Sequence, residues 1–111
     1  MKITHENYDR ITVINIEGDV TIDEIEPFRR LITERLDDDA RDFVLDLGAS
    51  DFIDSKAMET LLWLQEQADD RLGQVRLVNP TENVRKILKI TRLENHFDAH
   101  DDVDTALKSL R

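Results

Sequence analysis

The chain has 111 residues, of which 15 are Lys or Arg and 25 are Asp or Glu, so its formal net charge at pH 7 is −10. This balance argues against nucleic acid and anionic membrane surfaces as partners, because both bind proteins through basic side chains. The absence of cysteine excludes disulfides and thiolate chemistry. A polar N-terminal segment and short apolar runs predict one cytoplasmic domain over residues 1–111, without a membrane span.

The N-terminal third predicts two strands and a helix. Residues 11–17 alternate in polarity and are rich in β-branched side chains, which is typical of a strand. Ile3 is assigned to a short strand before it, joined through a turn at residues 7–9. Residues 22–36 then place their apolar side chains on one helical face. Because proline is tolerated only in the first turn of a helix, Pro27 indicates a start at or just after Asp23.

The middle of the chain predicts a strand, a helix and a second strand. Residues 42–47 form a short apolar run of the kind found in central strands buried on both faces. A polar connection leads to the second helix, which begins at Asp54 or Ser55 and runs to about Leu72. Residues 74–79 alternate again and are assigned to the next strand.

The segment NPTEN predicts the start of a third helix. Asn79 is a suitable cap, Pro80 suits the first helical position, and Glu82 completes a capping box. Residues 96–100 predict a last short strand, and a final helix runs from Asp101 or Asp102 to Leu110.

Strands thus alternate with helices after an initial pair of strands. Such alternation requires crossover connections and a mostly parallel sheet. We therefore predict an α/β fold with a mixed β-sheet of about four or five strands and about four helices.

The start of the second helix is the most informative position for function. Asp54 or Ser55 can accept hydrogen bonds from the free N–H groups of the first turn, which is the structural interpretation. The same position follows the carboxyl end of a buried strand, where parallel α/β sheets expose functional loops. A phosphate on Ser55 would meet those N–H groups and add negative charge beside Asp51 and Asp54.

Trp63 lies away from the apolar stripe predicted for this helix. On a helical wheel it falls about 140° from Met58, which belongs to the stripe together with Leu61 and Ala68, whereas Leu64 lies at its edge. A large aromatic side chain in that position is either covered by neighbouring residues or available to a partner.

Four segments carry a family resemblance: IEGDVT, FVLDLGASDFIDS, LVNPTENVRKILKITRLENHF and DVDTALKSL. Together they resemble the STAS domain of bacterial anti-sigma factor antagonists, over nearly the whole chain. The resemblance implies a non-catalytic domain without a cofactor, whose partner is an anti-sigma factor that is also a serine kinase. It implies phosphorylation of Ser55. We predict that the partner binds around this site and at the tryptophan singled out on the helical wheel. The predicted partner-binding residues are Thr21, Asp51, Asp54, Ser55, Lys56, Met58, Glu59 and Trp63.

Two departures from the family pattern bear on this prediction. The family commonly continues with Ser and Gly after the phosphoacceptor, whereas this chain has Lys56 and Ala57. It also often has an acid where Thr21 stands. Lys56 and Ala57 leave open a second role, because stand-alone STAS proteins also serve as unphosphorylated scaffold subunits of lipid-transport ABC systems.

Other chemistries have less support in the sequence. His96 and His100 are four residues apart, but the pattern around Phe97 indicates a strand that runs into a turn, where the two side chains would not converge on a metal ion, so we predict no metal site. A hydrolase using Ser55 would need a histidine near that loop, and none is close in sequence. Only three glycines are present, and they do not form a phosphate-binding loop.

Overall fold

The computed structural model describes residues 2–110, apart from the side chain of Ile22. Five strands form one mixed sheet in the order β1-β2-β3-β4-β5, in which β1 is antiparallel to β2 and the other pairs are parallel. The strands are β1 (Lys2–Tyr8), β2 (Ile11–Glu17), β3 (Asp42–Ala49), β4 (Val75–Val78) and β5 (Asp98–His100).

Four α-helices connect and cover these strands: α1 (Ile25–Asp37), α2 (Ser55–Asp70), α3 (Glu82–Ile90) and α4 (Val103–Ser109). A 3-10 turn, Ile22–Glu24, precedes α1, and Pro27 lies in the first turn of that helix, as predicted. The predicted α/β fold with a mixed sheet is confirmed. Within residues 2–110, no helix has the length and apolar character needed to cross a bilayer.

The two faces of the sheet are covered unequally. Helices α1, α2 and α3 pack on one face over a large core that includes Ile14, Leu45 and Leu77. Helix α4 packs on the other face, where Ala106 contacts a smaller core around Val44 and Val78. Because β3 is covered on both faces, the consecutive residues Phe43, Val44 and Leu45 are all fully buried, which explains why three apolar residues follow one another in the sequence.

The start of α3 differs from the prediction. Thr81 is the N-terminal cap, and its hydroxyl oxygen accepts a hydrogen bond from the Val84 N–H at 3.3 Å. Asn79, the predicted cap, instead donates its backbone N–H to the carbonyl of His100 at 2.8 Å and has a left-handed φ of 49°. Asn79 therefore continues the sheet hydrogen bonding, so the helix begins two residues later than the sequence pattern indicated.

The buried stripe of α2 is also shifted relative to the prediction. Leu64, expected at its edge, is fully buried and lies in the middle of a stripe that includes Ala57, Leu61 and Ala68. Leu72, expected to extend the helix, follows its end, has a φ of 60° and is 90% exposed. The buried stripe is centred on the residues that face the sheet. A helical wheel of this segment alone does not show which side of the helix faces the sheet.

Candidate functional site

The Ser55 side chain is exposed and belongs to the first residue of α2. The preceding residue, Asp54, caps the helix, because its Oδ1 atom accepts a hydrogen bond from the backbone N–H of Ala57 at 2.8 Å. Among the described residues, no partner forms a side-chain hydrogen bond with Ser55. Capping is therefore performed by the carboxylate, and the neighbouring hydroxyl remains accessible to solvent.

The connection before Ser55, residues 50–54 (the site loop), is fastened on two sides. The buried hydroxyl of Ser50 donates to the carbonyl of Ile16 at 2.9 Å, which ties the loop to β2. The hydroxyl of Thr81 donates to the carbonyl of Ser50 at 3.1 Å, and the Asn83 amide donates to the Asp51 carboxylate at 3.1 Å. The first turn of α3 thus supports the loop that leads to Ser55.

Thr21 lies beside the site loop because the chain after β2 pairs with it. Val20 and Ile53 form a parallel bridge. The Val20 N–H donates to the Phe52 carbonyl at 2.9 Å, and the Asp54 N–H donates to the Val20 carbonyl at 3.1 Å. The residue after Val20, the half-buried Thr21, is consequently brought next to Asp54 at the carboxyl end of the sheet.

Lys56 and Glu59 lie on the first turns of α2 and form an exposed ion pair, with 3.1 Å between Nζ and Oε2. Exposed pairs of this kind contribute little to stability, so both side chains can exchange partners at low cost. They also border a shallow depression between α1 and α2, which we call the α1–α2 groove. Its lining consists of Ile25, Glu26, Arg29, Lys56, Glu59 and Thr60.

Met58 and Trp63 are half-buried and pack against the main core. The guanidinium carbon of Arg29 lies 4.4 Å from the centroid of the Trp63 ring, an arrangement that gives a cation–π contact between α1 and α2. Trp63 is therefore partly covered by a neighbour. It follows Ser55 by eight residues, so it lies about 12 Å further along the helix axis.

Two residues of this surface were not singled out by the sequence reasoning, which assigned the loop of residues 48–56 to the contact surface as a whole. Phe52 is 46% exposed in the site loop, whereas the adjacent Ile53 is buried. The sequence shows them as an apolar pair, but extended backbone directs successive side chains to opposite sides, so only one of the two could enter the core. Arg29 was also missed, because its contact with Trp63 joins two helices and leaves no local pattern.

His96 and His100, the two histidines four residues apart, do not lie on one helix. His96 lies before β5 and His100 ends that strand, so the spacing of four residues does not place them on one helical face. Over residues 2–110 the structure contains no group of three or more His, Asp or Glu side chains placed to hold a metal ion.

Comparison with known proteins gives the family. The model of the STAS domain family matches residues 2–106, and the chain therefore belongs to the STAS domain family. The STAS-domain containing protein PA14_20770 of Pseudomonas aeruginosa (strain UCBPP-PA14) is 38% identical over 64 residues, a match that covers 58% of this chain and 63% of that protein.

Two further relatives match over almost their whole length. BtrV of Bordetella bronchiseptica, named as a candidate anti-sigma factor antagonist, is 23% identical over 111 residues, which covers 100% of this chain and 96% of that protein. The structure of the anti-sigma factor antagonist SpoIIAA in its unphosphorylated form has a TM-score of 0.87 at 20% identity, covering 99% of this chain and 96% of SpoIIAA. The structural likeness establishes the shared fold.

Proposed function

We propose that this STAS domain is a cytoplasmic anti-sigma factor antagonist. It binds an anti-sigma factor that is also a serine kinase, the binding releases a sigma factor, and phosphorylation of Ser55 breaks the complex. The observation that carries the proposal is the exposed Ser55 hydroxyl at the first position of α2, next to a capping aspartate. The names of BtrV and SpoIIAA give this class of protein, and SpoIIAA is also known as a structure in its phosphorylated form.

A phosphate on Ser55 would change the charge of the surface without changing the fold. It adds about −1.5 to −2 charges. Exposed carboxylates already lie on this side of the molecule, at Asp19, Glu26, Asp51 and Glu59. The phosphate would be held by the free N–H groups of the first turn and repelled by the Asp54 carboxylate. The main effect is therefore on the partner that faces the phosphate, which meets a larger negative charge.

The proposed partner-binding surface consists of the start of α2, the site loop and the adjacent chain after β2. It includes the predicted residues Thr21, Asp51, Asp54, Ser55, Lys56, Met58, Glu59 and Trp63, to which we add Phe52 and Arg29. Phe52 provides exposed aromatic area, a common feature of the residues that contribute most to binding. The surrounding acids steer a partner whose surface is basic overall, because complementary charge accelerates encounter. The switch additionally requires an acidic group of that partner opposite Ser55, which the phosphate would repel.

Lys56 and Ala57 affect the proposal differently. The Ala57 side chain is buried in the main core, so a kinase docked on Ser55 would not contact its methyl group. Lys56 is exposed and pairs with Glu59. After phosphorylation, Lys56 can exchange Glu59 for the phosphate, which would reduce the added negative charge and weaken the switch rather than remove the site.

Co-purification tests the proposal directly. The full chain, tagged and expressed in its own cells, should recover an anti-sigma factor, and mass spectrometry of the Ser55 peptide should show a phosphorylated fraction. The Ser55→Ala variant should retain the partner, whereas Ser55→Asp should lose it. Equal binding of the partner by the two variants contradicts the switch.

A scaffold subunit of a lipid-transport ABC system is the second candidate function. Lys56 is exposed beside Ser55, at a position where the family commonly has serine. This departure from the family pattern favours the scaffold role, because a scaffold subunit needs no phosphoserine. A gene for an ABC permease beside this one would support the scaffold, and a gene for a serine kinase of the anti-sigma type would support the antagonist. In the scaffold role, Ser55→Asp and Ser55→Ala both retain the partner.

A further inference from the structure

Helix α3 carries positive charge in an acidic protein. Residues 82–92 contain four basic residues and one acid, Glu82, which gives a local net charge of +3 against −10 for the chain. The basic residues are exposed and are Arg85, Lys86, Lys89 and Arg92. This concentration has no role in the proposed contact around Ser55, whose exposed charges are mainly acidic.

Three of these cations border a groove between α3 and β5, which we call the α3–β5 groove. Its floor is apolar and is formed by Leu77, Leu88, Phe97 and Ala99. Two acids, Glu82 and Glu94, also line it, so its rim has a small excess of positive charge. None of the lining residues belongs to the surface proposed for the anti-sigma factor.

The rim cations differ in how they are held. The Arg85 Nε atom donates to the carbonyl of Pro80 at 3.2 Å, and the Lys86 Nζ atom lies 3.5 Å from Oε1 of Glu82 in an exposed pair. Within residues 2–110, the structure shows no ion pair for Lys89. Lys89 is therefore the rim cation with an ammonium group available to an incoming carboxylate.

The groove is also bordered by Ala99 of β5, whose backbone groups lie on the free edge of the sheet. Over residues 2–110, β5 is an edge strand that pairs with β4 alone. The His100 carbonyl accepts the Asn79 N–H on the β4 side, and backbone groups of successive residues in a strand point to alternate sides. The N–H and C=O of Ala99 consequently point away from β4, along the free edge, where an added strand can bind them.

We propose that the α3–β5 groove is a second docking site, which binds an extended acidic segment of a partner protein. The segment pairs its backbone with Ala99, places an apolar side chain on the floor beside Leu88 and Phe97, and directs carboxylates to Lys86 and Lys89. Complementary charge selects the acidic occupant, because a basic segment would lose these contacts and face the rim cations.

Fluorescence anisotropy with the full chain tests this site. The probe is a fluorescein-labelled peptide, Asp-Glu-Val-Leu-Val-Glu-Asp, and the control peptide is its neutral counterpart, Asn-Gln-Val-Leu-Val-Gln-Asn, because a basic peptide would bind the acidic surface of the chain elsewhere. We expect the acidic peptide to bind with a Kd below about 1 mM, more weakly as salt increases, and the neutral peptide to bind about fivefold more weakly. Absence of acidic-peptide binding, or equal binding of both peptides, overturns the proposal.

Variants locate the binding. Lys89→Glu should weaken the acidic peptide on the order of fivefold, whereas Lys108→Glu, which makes the same charge change on α4, should leave its Kd unchanged. Ala99→Pro removes the outward N–H and leaves the bonds to β4, so it should weaken binding about fivefold, while Ala99→Ser should not. An equal change of Kd in the two lysine variants would show that the peptide responds to the overall charge of the protein, and it would overturn the proposed site.

A membrane is the competing occupant of a basic helix. Sedimentation with phosphatidylglycerol vesicles decides between the two, because the proposed groove selects a peptide backbone and not a charged surface. Vesicle binding that Lys89→Glu abolishes, without binding of the acidic peptide, would replace the proposal. Thermal unfolding of each variant shows whether the native fold is retained before any loss of binding is interpreted.

Discussion

The Asp54 carboxylate accepts a hydrogen bond from the Ala57 N–H at 2.8 Å, and this bond spans the two exposed residues between them. The sequence allowed either Asp54 or Ser55 to cap α2, and the structure shows that Asp54 is the cap. A hydroxyl that is neither a cap nor part of the core contributes little to folding. The proposed phosphate on Ser55 would therefore leave the native structure intact.

Two serine-to-alanine variants separate structure from function at this site. Ser50→Ala removes the buried hydroxyl that donates to the Ile16 carbonyl and should lower the free energy of unfolding by about 1–2 kcal/mol. Ser55→Ala should change it by less than about 0.5 kcal/mol, because the hydroxyl is exposed. Urea denaturation measures both. A cost at Ser55 as large as that at Ser50 would show that Ser55 has a structural role.

Gly73 is required by a close approach of two backbone segments. A Cβ atom at this position would lie 2.0 Å from the carbonyl oxygen of Arg41, so Gly73→Ala should cost about 3 kcal/mol or more. Gly48→Ala is the matched control, because its Cβ would meet the movable Asn79 side-chain amide at 2.7 Å. We expect a cost below about 1 kcal/mol there. Similar unfolding midpoints for the two variants contradict the structure around Gly73.

The contact between Arg29 and Trp63 can be followed by fluorescence, because the chain has a single tryptophan. Arg29→Gln uncovers one face of the ring and should shift the emission to longer wavelength. It should lower the free energy of unfolding by about 0.5–1 kcal/mol. Arg29→Lys keeps a cation and should retain part of the stability. An unchanged emission spectrum in Arg29→Gln would show that Arg29 does not cover the ring in solution.

The cap of α4 predicts a dependence of stability on pH. The Thr105 N–H donates to Oδ1 of Asp102 at 2.7 Å, and this bond lowers the pKa of the carboxyl below its ordinary value of 3.8. A lowered pKa in the folded state stabilises the protein above the unfolded value, and the contribution is lost as pH falls through the folded pKa.

Asp102→Asn keeps an oxygen acceptor but has no charge to titrate. Its thermal midpoint should lie below that of the wild type at about pH 6, and the difference should disappear towards about pH 2. Asp102→Ala lacks the acceptor as well and should be less stable than the wild type at both values. A midpoint difference for Asp102→Asn that does not change with pH would contradict the assigned cause.

The order of elements could be predicted because each signal is local. Alternating residues predicted β2, a short apolar run predicted the buried β3, and Pro27 limited the start of α1. The position of Ser55 at the start of α2 followed from the same reasoning, since a polar connection separated a strand pattern from a helical one.

The remaining features depend on contacts between distant residues. Asn79 is not the cap of α3 because it bonds to His100, which lies 21 residues later. The cover of Trp63 comes from α1, and the exposure of Phe52 depends on the pairing of Val20 with Ile53. Patterns within one helix or loop do not contain this information.

The bonds that tie the site loop to β2 and to α3 have a kinetic consequence. A segment anchored at both flanks has little conformational freedom left to lose when a second protein arrives. Recognition can then proceed as a collision between rigid bodies, at a rate governed by ionic strength. A phosphate on Ser55, directly after such an anchored segment, would change that rate through its charge and the lifetime of the assembly through the contacts it displaces.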